Sequence, residues 1–196
     1  MIKIYYCASL VTDIPEEISD YRREKIIVCR TDRGRIEQIR TARALKAGFA
    51  DLGIDEKNVI YAVNENGKPY AKELDGIYFS VTHTDNVSLV AFSDKEIGID
   101  CENDDREISD AVMERFFAEA ENRECDEHRL LLWVAKEAAV KQSSRGFIRG
   151  RKDTEIPYFA DEISLGGIWL KRFEICGALG VICAESRDGI LLKEVY

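Results

Sequence analysis

Apolar and polar residues alternate across Ile2–Cys7, a period of two that predicts a strand. The period then changes. Residues 15–29 and 35–52 read as helices, and in the second Ile36, Ile39, Ala42, Leu45 and Phe49 recur at steps of three and four, with Gly53 as the stop. Residues 64–70, Asn-Glu-Asn-Gly-Lys-Pro-Tyr, are turn chemistry. Residues 77–81, 87–92 and 97–101 predict three short strands separated by turn residues, an antiparallel meander. Helical spacing returns over 108–117 and 128–142. Strand patterning follows over 168–173, 179–184 and 190–195.

This order repeats. Sliding the chain by 91 places Gly76-Ile77-Tyr78 on Gly167-Ile168-Trp169, Val90 on Val181 and Gly98-Ile99 on Gly189-Ile190, and lays the helix of 35–52 over that of 128–142. The expectation is an α+β fold of two similar halves, residues 1–103 and 104–196. Each half is a helix packed on a small antiparallel sheet, and the halves are related by a pseudo-two-fold with a ligand cleft between them.

Composition narrows the class. With 196 residues, 45% of them hydrophobic and 33% charged, the chain can bury a substantial core. No apolar run is long enough to span a bilayer, and the first ten residues carry neither a basic region nor a small-residue cleavage site, so they read as a strand. Cys7, Cys29, Cys101, Cys125, Cys176 and Cys183 form no CxxC pair and suit free thiols in a reducing compartment, the cytoplasm. Only His83 and His128 are available beside them, and neither has zinc-ligand spacing. A net charge of −9 argues against a nucleic-acid partner. The charge is unevenly spread: residues 21–46 hold nine basic and three acidic residues, and residues 94–127 hold fourteen acidic and four basic. That asymmetry fits a protein binding an anionic small molecule with one part and a cation with another, as well as two solvated faces of opposite sign.

Asp100 and Glu102 stand two apart at the end of a predicted strand, so their side chains share a face about 6–7 Å apart along it. Glu137 and Lys141 share a face of a helix that is otherwise apolar (Leu130, Leu131, Leu132, Val134, Ala138, Ala139, Val140), which puts these charges at an interface or in a cleft. If Asp100, Glu102 and Glu137 converge, each pair costs roughly 4 kcal/mol at about 4 Å and an effective dielectric near 20, a cost that a hard divalent cation removes. Oxygen ligands select Mg²⁺ or Mn²⁺.

The run Gly98-Ile99-Asp100-Cys101-Glu102, followed by Trp133-Val134-Ala135-Lys136-Glu137 and Lys141, resembles the signature of the 4′-phosphopantetheinyl transferases, and more closely the pseudodimeric surfactin-synthetase-activating type. Gly67-Lys68-Pro69, the Ser80 to Thr84 segment around His83, Arg115-Phe116-Phe117 and the basic elements around Arg22 and Arg43 agree in order, so the likeness covers roughly residues 20 to 147. The resemblance implies transfer of 4′-phosphopantetheine from coenzyme A to a serine of an apo acyl or peptidyl carrier protein, with release of 3′,5′-ADP, by a magnesium-dependent cytoplasmic monomer with no membrane or nucleic-acid partner. It implies Asp100, Glu102 and Glu137 as metal ligands; Glu137 as base, directly or through a water; and Lys141 beside the leaving phosphate. It also implies Arg22, Lys25, Arg43, Lys68, Thr82, His83 and Lys136 as binders of the coenzyme, with His83, Asp100 and Lys141 counted in the catalytic set. Lys136 sits about 100° from Glu137 around the helix, so a structural role is open to it. Met113, Phe116 and Phe117 are expected either at a carrier-docking surface or in the core, with Arg106, Arg115 and Arg123 as the basic groups facing an acidic carrier. The sequence departs from the family pattern in having threonines at 82 and 84 and Val134 after the tryptophan. The other reading is a non-catalytic module that binds coenzyme A or a carrier protein. A P-loop nucleotide hydrolase is disfavoured, since no G-x-x-x-x-G-K-[ST] occurs.

Overall fold

A computed structural model describes residues 1–118, 121, 128–143 and 155–196. Strand β1 is Ile2–Cys7, as its alternation predicts. Helix α1 is Asp20–Ile27, shorter than the expected 15–29, because Ser19 is its cap: the Ser19 hydroxyl accepts from the Arg22 amide and leaves 15–18 outside the helix. Helix α2, Asp32–Ala50, begins at Thr31, whose hydroxyl accepts from the Gly34 amide at 3.1 Å. Strands β2 (Ile60–Val63) and β3 (Pro69–Lys72) form an antiparallel hairpin around the expected turn, and neither had a strong period of its own. Next come β4 (Tyr78–His83), β5 (Ser88–Ser93), β6 (Ile97–Asn103), helix α3 (Asp110–Phe116), helix α4 (Arg129–Ser143), and strands β7 (Glu162–Leu165), β8 (Ile168–Ile175), β9 (Ala178–Ala184) and β10 (Ile190–Glu194).

The expected three-strand meander is broken. β4 and β5 pair antiparallel, but β6 leaves β5 and pairs antiparallel with β9. One sheet therefore runs β10-β1-β5-β4 and the other β6-β9-β8-β7. In the 91-residue repeat β4, β5 and β6 lie over β8, β9 and β10, so the third strand of each repeat sits in the sheet that contains the other repeat's second strand. Strand pairing crosses residue 103 in both directions.

Alternation along the strands sorts the core into layers. Val90, Phe92 and Phe79 face α2, against Leu45 and Phe49. Ile2, Ile4, Leu89 and Ala91 meet Ile97, Ile99, Cys101 and Ile182 between the sheets. Leu170, Val181 and Cys183 pack under α3 and α4, against Met113, Phe117 and Leu132. Each Val, Leu, Ile, Phe or Met side chain among them contributes about 1.5–3 kcal/mol on leaving water. Among the described residues no helix is long and apolar enough to cross a membrane.

Helix α4 lies so close to β6 that a Cβ at Gly98 would come within 1.9 Å of the Ala138 carbonyl oxygen and 2.5 Å of the Gln142 amide. Both obstacles are backbone and cannot rotate away. Gly98→Ala is expected to destabilise by on the order of 3 kcal/mol in urea unfolding. Gly189, its counterpart in the repeat, has open space around its Cβ position, and Gly189→Ala is expected to stay within about 0.5 kcal/mol of the parent.

Candidate active site

β4 and β6 are the edge strands at which the two sheets meet. Edge amides need partners, and here side-chain hydroxyls provide them. Ser80 Oγ accepts from the Ile99 amide at 3.1 Å. Two residues along, Thr82 Oγ1 accepts from the Cys101 amide at 3.1 Å and donates to Asp100 Oδ1 at 3.2 Å. Lys141 reaches the same seam from α4: its ammonium donates to Val81 O on β4 and Ile99 O on β6, both at 3.1 Å, and to Asp100 Oδ1 at 2.7 Å. Asp100 is buried, with its charge balanced by Lys141. Cys101 points the opposite way into the core between the sheets, where burial pushes its thiol up to about 12, so it is an inert thiol at neutral pH.

Over the seam opens a cavity of about 360 Å³, walled by α1, α2, the turn before β3, and the ends of β4 and β6. Arg22, Lys25, Thr82, His83, Asp100, Glu102 and Lys141 all line it. Arg22 is 6% exposed; Nη2 donates to Gln38 Oε1 at 2.9 Å, Nε has no hydrogen-bond partner, and burial lowers the guanidinium's proton affinity. Lys25 is exposed, with Nζ 5.6 Å from the centre of the Tyr21 ring, which itself stacks on Tyr61. His83 Nδ1 stands 3.3 Å from Glu37 Oε2. Burial is the largest influence on His83 and lowers its pKa, and Lys141 adds to this; Glu37 and Asp100 oppose it without prevailing. The imidazole is therefore largely neutral at pH 7, and its 3.3 Å approach to Glu37 is a polar contact between a neutral ring and a carboxylate.

Glu137 is buried on α4. Residues 133, 137 and 141 form one stripe on the helix. At one end Lys141 bonds Asp100, and at the other the Trp133 ring lies 5.9 Å from the Arg106 guanidinium, which bonds Glu102. Glu137 lies between these two contacts on the helix stripe, but it is not among the residues that line the cavity. Among the described residues, however, no three His, Cys, Asp or Glu side chains converge closely enough to hold a metal. The donor chemistry still fits magnesium, which takes one or two protein carboxylates and completes its shell with water and substrate phosphate. Asp100 and Glu102 offer such oxygens on one face of β6, at the pocket.

Three expected coenzyme contacts are directed elsewhere. Lys68 Nζ is held by Glu96 at 2.9 Å and Ile97 O at 3.1 Å, and only its neighbours Gly67 and Pro69 line the pocket. Arg43 donates toward Asp13 O, as Arg40 does to Ser9 O and Lys46 to Glu16 O, so this stripe of α2 clamps the loop after β1. Lys136 is fully buried, with Nζ 2.8 Å from Glu121 and 5.3 Å from the Phe117 ring centre. Glu121 in turn accepts from the amides of Ala118 and Ile156, making a closed structural unit. Met113, Phe116 and Phe117 belong to the core beneath α4. Arg106 is turned onto Glu102, Arg115 lies over Phe116, and Arg123 falls outside the described residues. Gln38, Thr41 and the supporting Glu37 were missed. Their signal was present as a polar stripe at 37, 38 and 41 on an otherwise buried helix.

Residues 96–176, which include the acidic strand and α4, match the profile of the 4′-phosphopantetheinyl transferase superfamily. The chain resembles the 4′-phosphopantetheinyl transferases. It is 32% identical to the 4′-phosphopantetheinyl transferase of Bacillus subtilis over 116 residues, 55% of this chain and 49% of that protein. It is 28% identical to the 4′-phosphopantetheinyl transferase psf-1 of Bacillus pumilus over 102 residues, 48% and 43% of the two chains. With the 4′-phosphopantetheinyl transferase gsp of Aneurinibacillus migulanus it shares 32% over 104 residues, 48% and 42%. The chain spans about half the length of the curated relatives it matches.

A His whose folded pKa lies below its ordinary 6.5 takes up protons on unfolding, so stability is complete above pH 6.5 and declines as pH falls through the window below it. His83→Gln should flatten that decline in pH-dependent unfolding, and in NMR titration His83 should show a midpoint below 6.5 that drops further in Glu37→Gln. Lys136→Met leaves Glu121 buried without its cation and should cost about 3–5 kcal/mol of stability while leaving coenzyme A affinity, read by calorimetry at a temperature where the variant is folded, unchanged.

Proposed function

We propose that the chain transfers 4′-phosphopantetheine from coenzyme A to a serine of an apo acyl or peptidyl carrier protein, releasing 3′,5′-ADP. One observation carries this reading: cationic Arg22 and Lys25 and acidic Asp100 and Glu102 line the same cavity. Coenzyme A presents a pyrophosphate and a 3′-phosphate, and these require positive groups on one wall and, on the other, carboxylates able to share a cation. A magnesium or manganese ion held by Asp100 and Glu102, with Glu137 beside them, would neutralise the pyrophosphate charge.

The chain's own groups do the rest. Arg22 and Lys25 hold phosphate oxygens, and Arg22, already desolvated, binds an anion at little further cost. Neutral His83, fixed by Glu37, gives the pocket a second ring nitrogen for a polar contact without adding charge. Thr82 orients Asp100. Glu137 takes the proton of the carrier serine as the serine oxygen bonds to the β-phosphorus and the bond from that phosphorus to the 3′,5′-ADP oxygen breaks. The two repeats, in this reading, are halves related by a pseudo-two-fold, with the site between residues 1–103 and 104–196, in a cytoplasmic monomer.

Intact mass spectrometry of apo-carriers incubated with the protein, coenzyme A and Mg²⁺ tests this. A gain of one phosphopantetheine is expected, reduced at least a hundredfold in rate by Glu137→Gln. No gain on any acyl or peptidyl carrier, with coenzyme A still bound, would leave the non-catalytic binding module instead.

A further inference from the structure

We propose that Glu56, a buried carboxylate that is not among the residues lining the cavity, is a positioning residue: it caps helix α1 from outside that helix and so holds one wall of the cavity in place. The consequence for coenzyme A rests on the function proposed above; the cap itself does not.

Helix α1 has eight residues, and isolated helices shorter than about 12–15 are marginal in water. Its own packing is thin. Ile26 is its one buried apolar residue, in a small cluster with Ile18, Ile39 and Ala42, and Ile27 at its end is exposed. The first turn of a helix also has amide donors without internal partners. A capping box answers this with a Glu or Gln at the third helical position, which accepts from the N-cap amide. Here the N-cap is Ser19 and the third position is Arg22, whose guanidinium has no acceptor to offer and donates to Gln38. Glu56, 37 residues on in the 3₁₀ turn Glu56–Asn58, takes that role. Its Oε2 accepts from the Ser19 amide and its Oε1 from the Ser19 hydroxyl, both at 2.8 Å, while the same hydroxyl accepts from the Arg22 amide.

The clamp reaches a second point on the helix. Tyr61 donates its phenol proton to Glu56 Oε1 at 2.7 Å, and its ring stacks on that of Tyr21 with centres 5.0 Å apart. Burial, and then Glu56, push the Tyr61 phenol up, so it stays a donor at neutral pH. Three donors thus converge on the two oxygens of a carboxylate that is 1% exposed, and a carboxylate is tolerated at such depth only where donors satisfy it. Glu56 therefore fixes Ser19 directly and Tyr21 through Tyr61. Tyr21, Arg22 and Lys25 line the cavity, so the position of that wall is set by a group that does not itself reach the cavity.

The test uses Glu56→Gln, Ser19→Asp and the two combined, in the full chain. Glu56→Gln keeps the volume but turns an NH₂ group toward donors. Ser19→Asp sets a carboxylate against Glu56. In the double variant the glutamine amide donates to the new aspartate, and the cap is rebuilt with the roles exchanged. Three quantities are read: hydrogen exchange of the Arg23 and Val28 amides, which donate to Ser19 O and Glu24 O, with Ile4 on β1 as reference; calorimetric affinity for coenzyme A with Mg²⁺; and kcat and KM. For Glu56→Gln the expected result is exchange at least tenfold faster at Arg23 and Val28 and within threefold of the parent at Ile4. Affinity should weaken and KM rise at least fivefold, with kcat at saturating coenzyme A within twofold. Ser19→Asp should do the same, and the double variant should return exchange and affinity to within threefold of the parent. Parental exchange at Arg23 and Val28 in Glu56→Gln overturns the cap. Faster exchange there with unaltered coenzyme A affinity overturns the positioning role. Acceleration that includes Ile4, with no recovery in the double variant, marks a general loss of stability and overturns both. A parent chain that does not bind coenzyme A refutes the proposed function, and exchange at Arg23 and Val28 then decides the cap by itself.

Discussion

The structure depends on how two sheets are joined where neither can offer a ladder. β6 crosses to the sheet of β9, which leaves one of its edges beside the edge of β4. A buried amide without a partner costs about 1–3 kcal/mol, and the Ile99 and Cys101 amides both face that penalty. Ser80 and Thr82, two apart on β4, meet the two amides two apart on β6. The period of a strand thus makes the join commensurate, one hydroxyl per outward amide. Asp100 projects between these contacts, and its placement is a consequence of the join: the hydroxyl that satisfies Cys101 donates its own proton to the carboxylate.

The two acidic groups at the pocket are balanced by cations of different quality. Asp100 is buried, and Lys141 is bound to the backbone of both sheets as well, so separating that pair disturbs the join. Glu102 pairs with Arg106 four residues on, at a partly exposed position. Exposed pairs of this kind contribute about 0–1 kcal/mol, so Arg106 yields to a competing cation at small cost while Lys141 does not. Of the two carboxylates, Asp100 is the more tightly held, by Thr82 and Lys141 together. Asp100 brings a fixed oxygen that need not leave its present partners to serve as a ligand, since a carboxylate has about four lone-pair sites.

Much of this was legible in the chain. The alternation of Ile2–Cys7 and the three- and four-residue spacing through Phe49 gave elements within a few residues of those observed, because both patterns report burial directly. The pairing of β6 was not legible, since alternation states which face is buried and is silent about the neighbour along the edge. The basic stretch of 22–46 was read as a phosphate cradle, and charge density alone supports that reading. Yet Arg40, Arg43 and Lys46 donate to carbonyls of the loop after β1, which lacks a ladder of its own, and Arg40 donates to Asp85 O as well. Lys136 was ambiguous for a similar reason. Its partner Glu121 lies fifteen residues earlier in a segment whose pattern gave no helix or strand to place it, so nothing in the spacing foretold a buried pair.

The repeat explains why the chemistry appears at one place. Moving 91 residues on from Asp100 and Glu102 gives Leu191 and Lys193, and moving 91 back from Glu137 and Lys141 gives Lys46 and Ala50. Ser80 and Thr82 have Lys171 and Phe173 as their counterparts, neither of which can supply a hydroxyl to an edge amide. The same holds for backbone approach: Gly98 lies against the backbone of α4, whereas the space beside Gly189 is open. Similar elements in similar order therefore carry different requirements at matched positions. Lys141 on the helix finds its partner only where the opposing strand presents a carboxylate, and that carboxylate is tolerable there only because a lysine and a hydroxyl offset its burial. These residues depend on one another, so a second copy of the site would need all of them at once, and the second half supplies the helix with Glu137 and Lys141 but has Lys171, Phe173, Leu191 and Lys193 where the hydroxyls and carboxylates would stand.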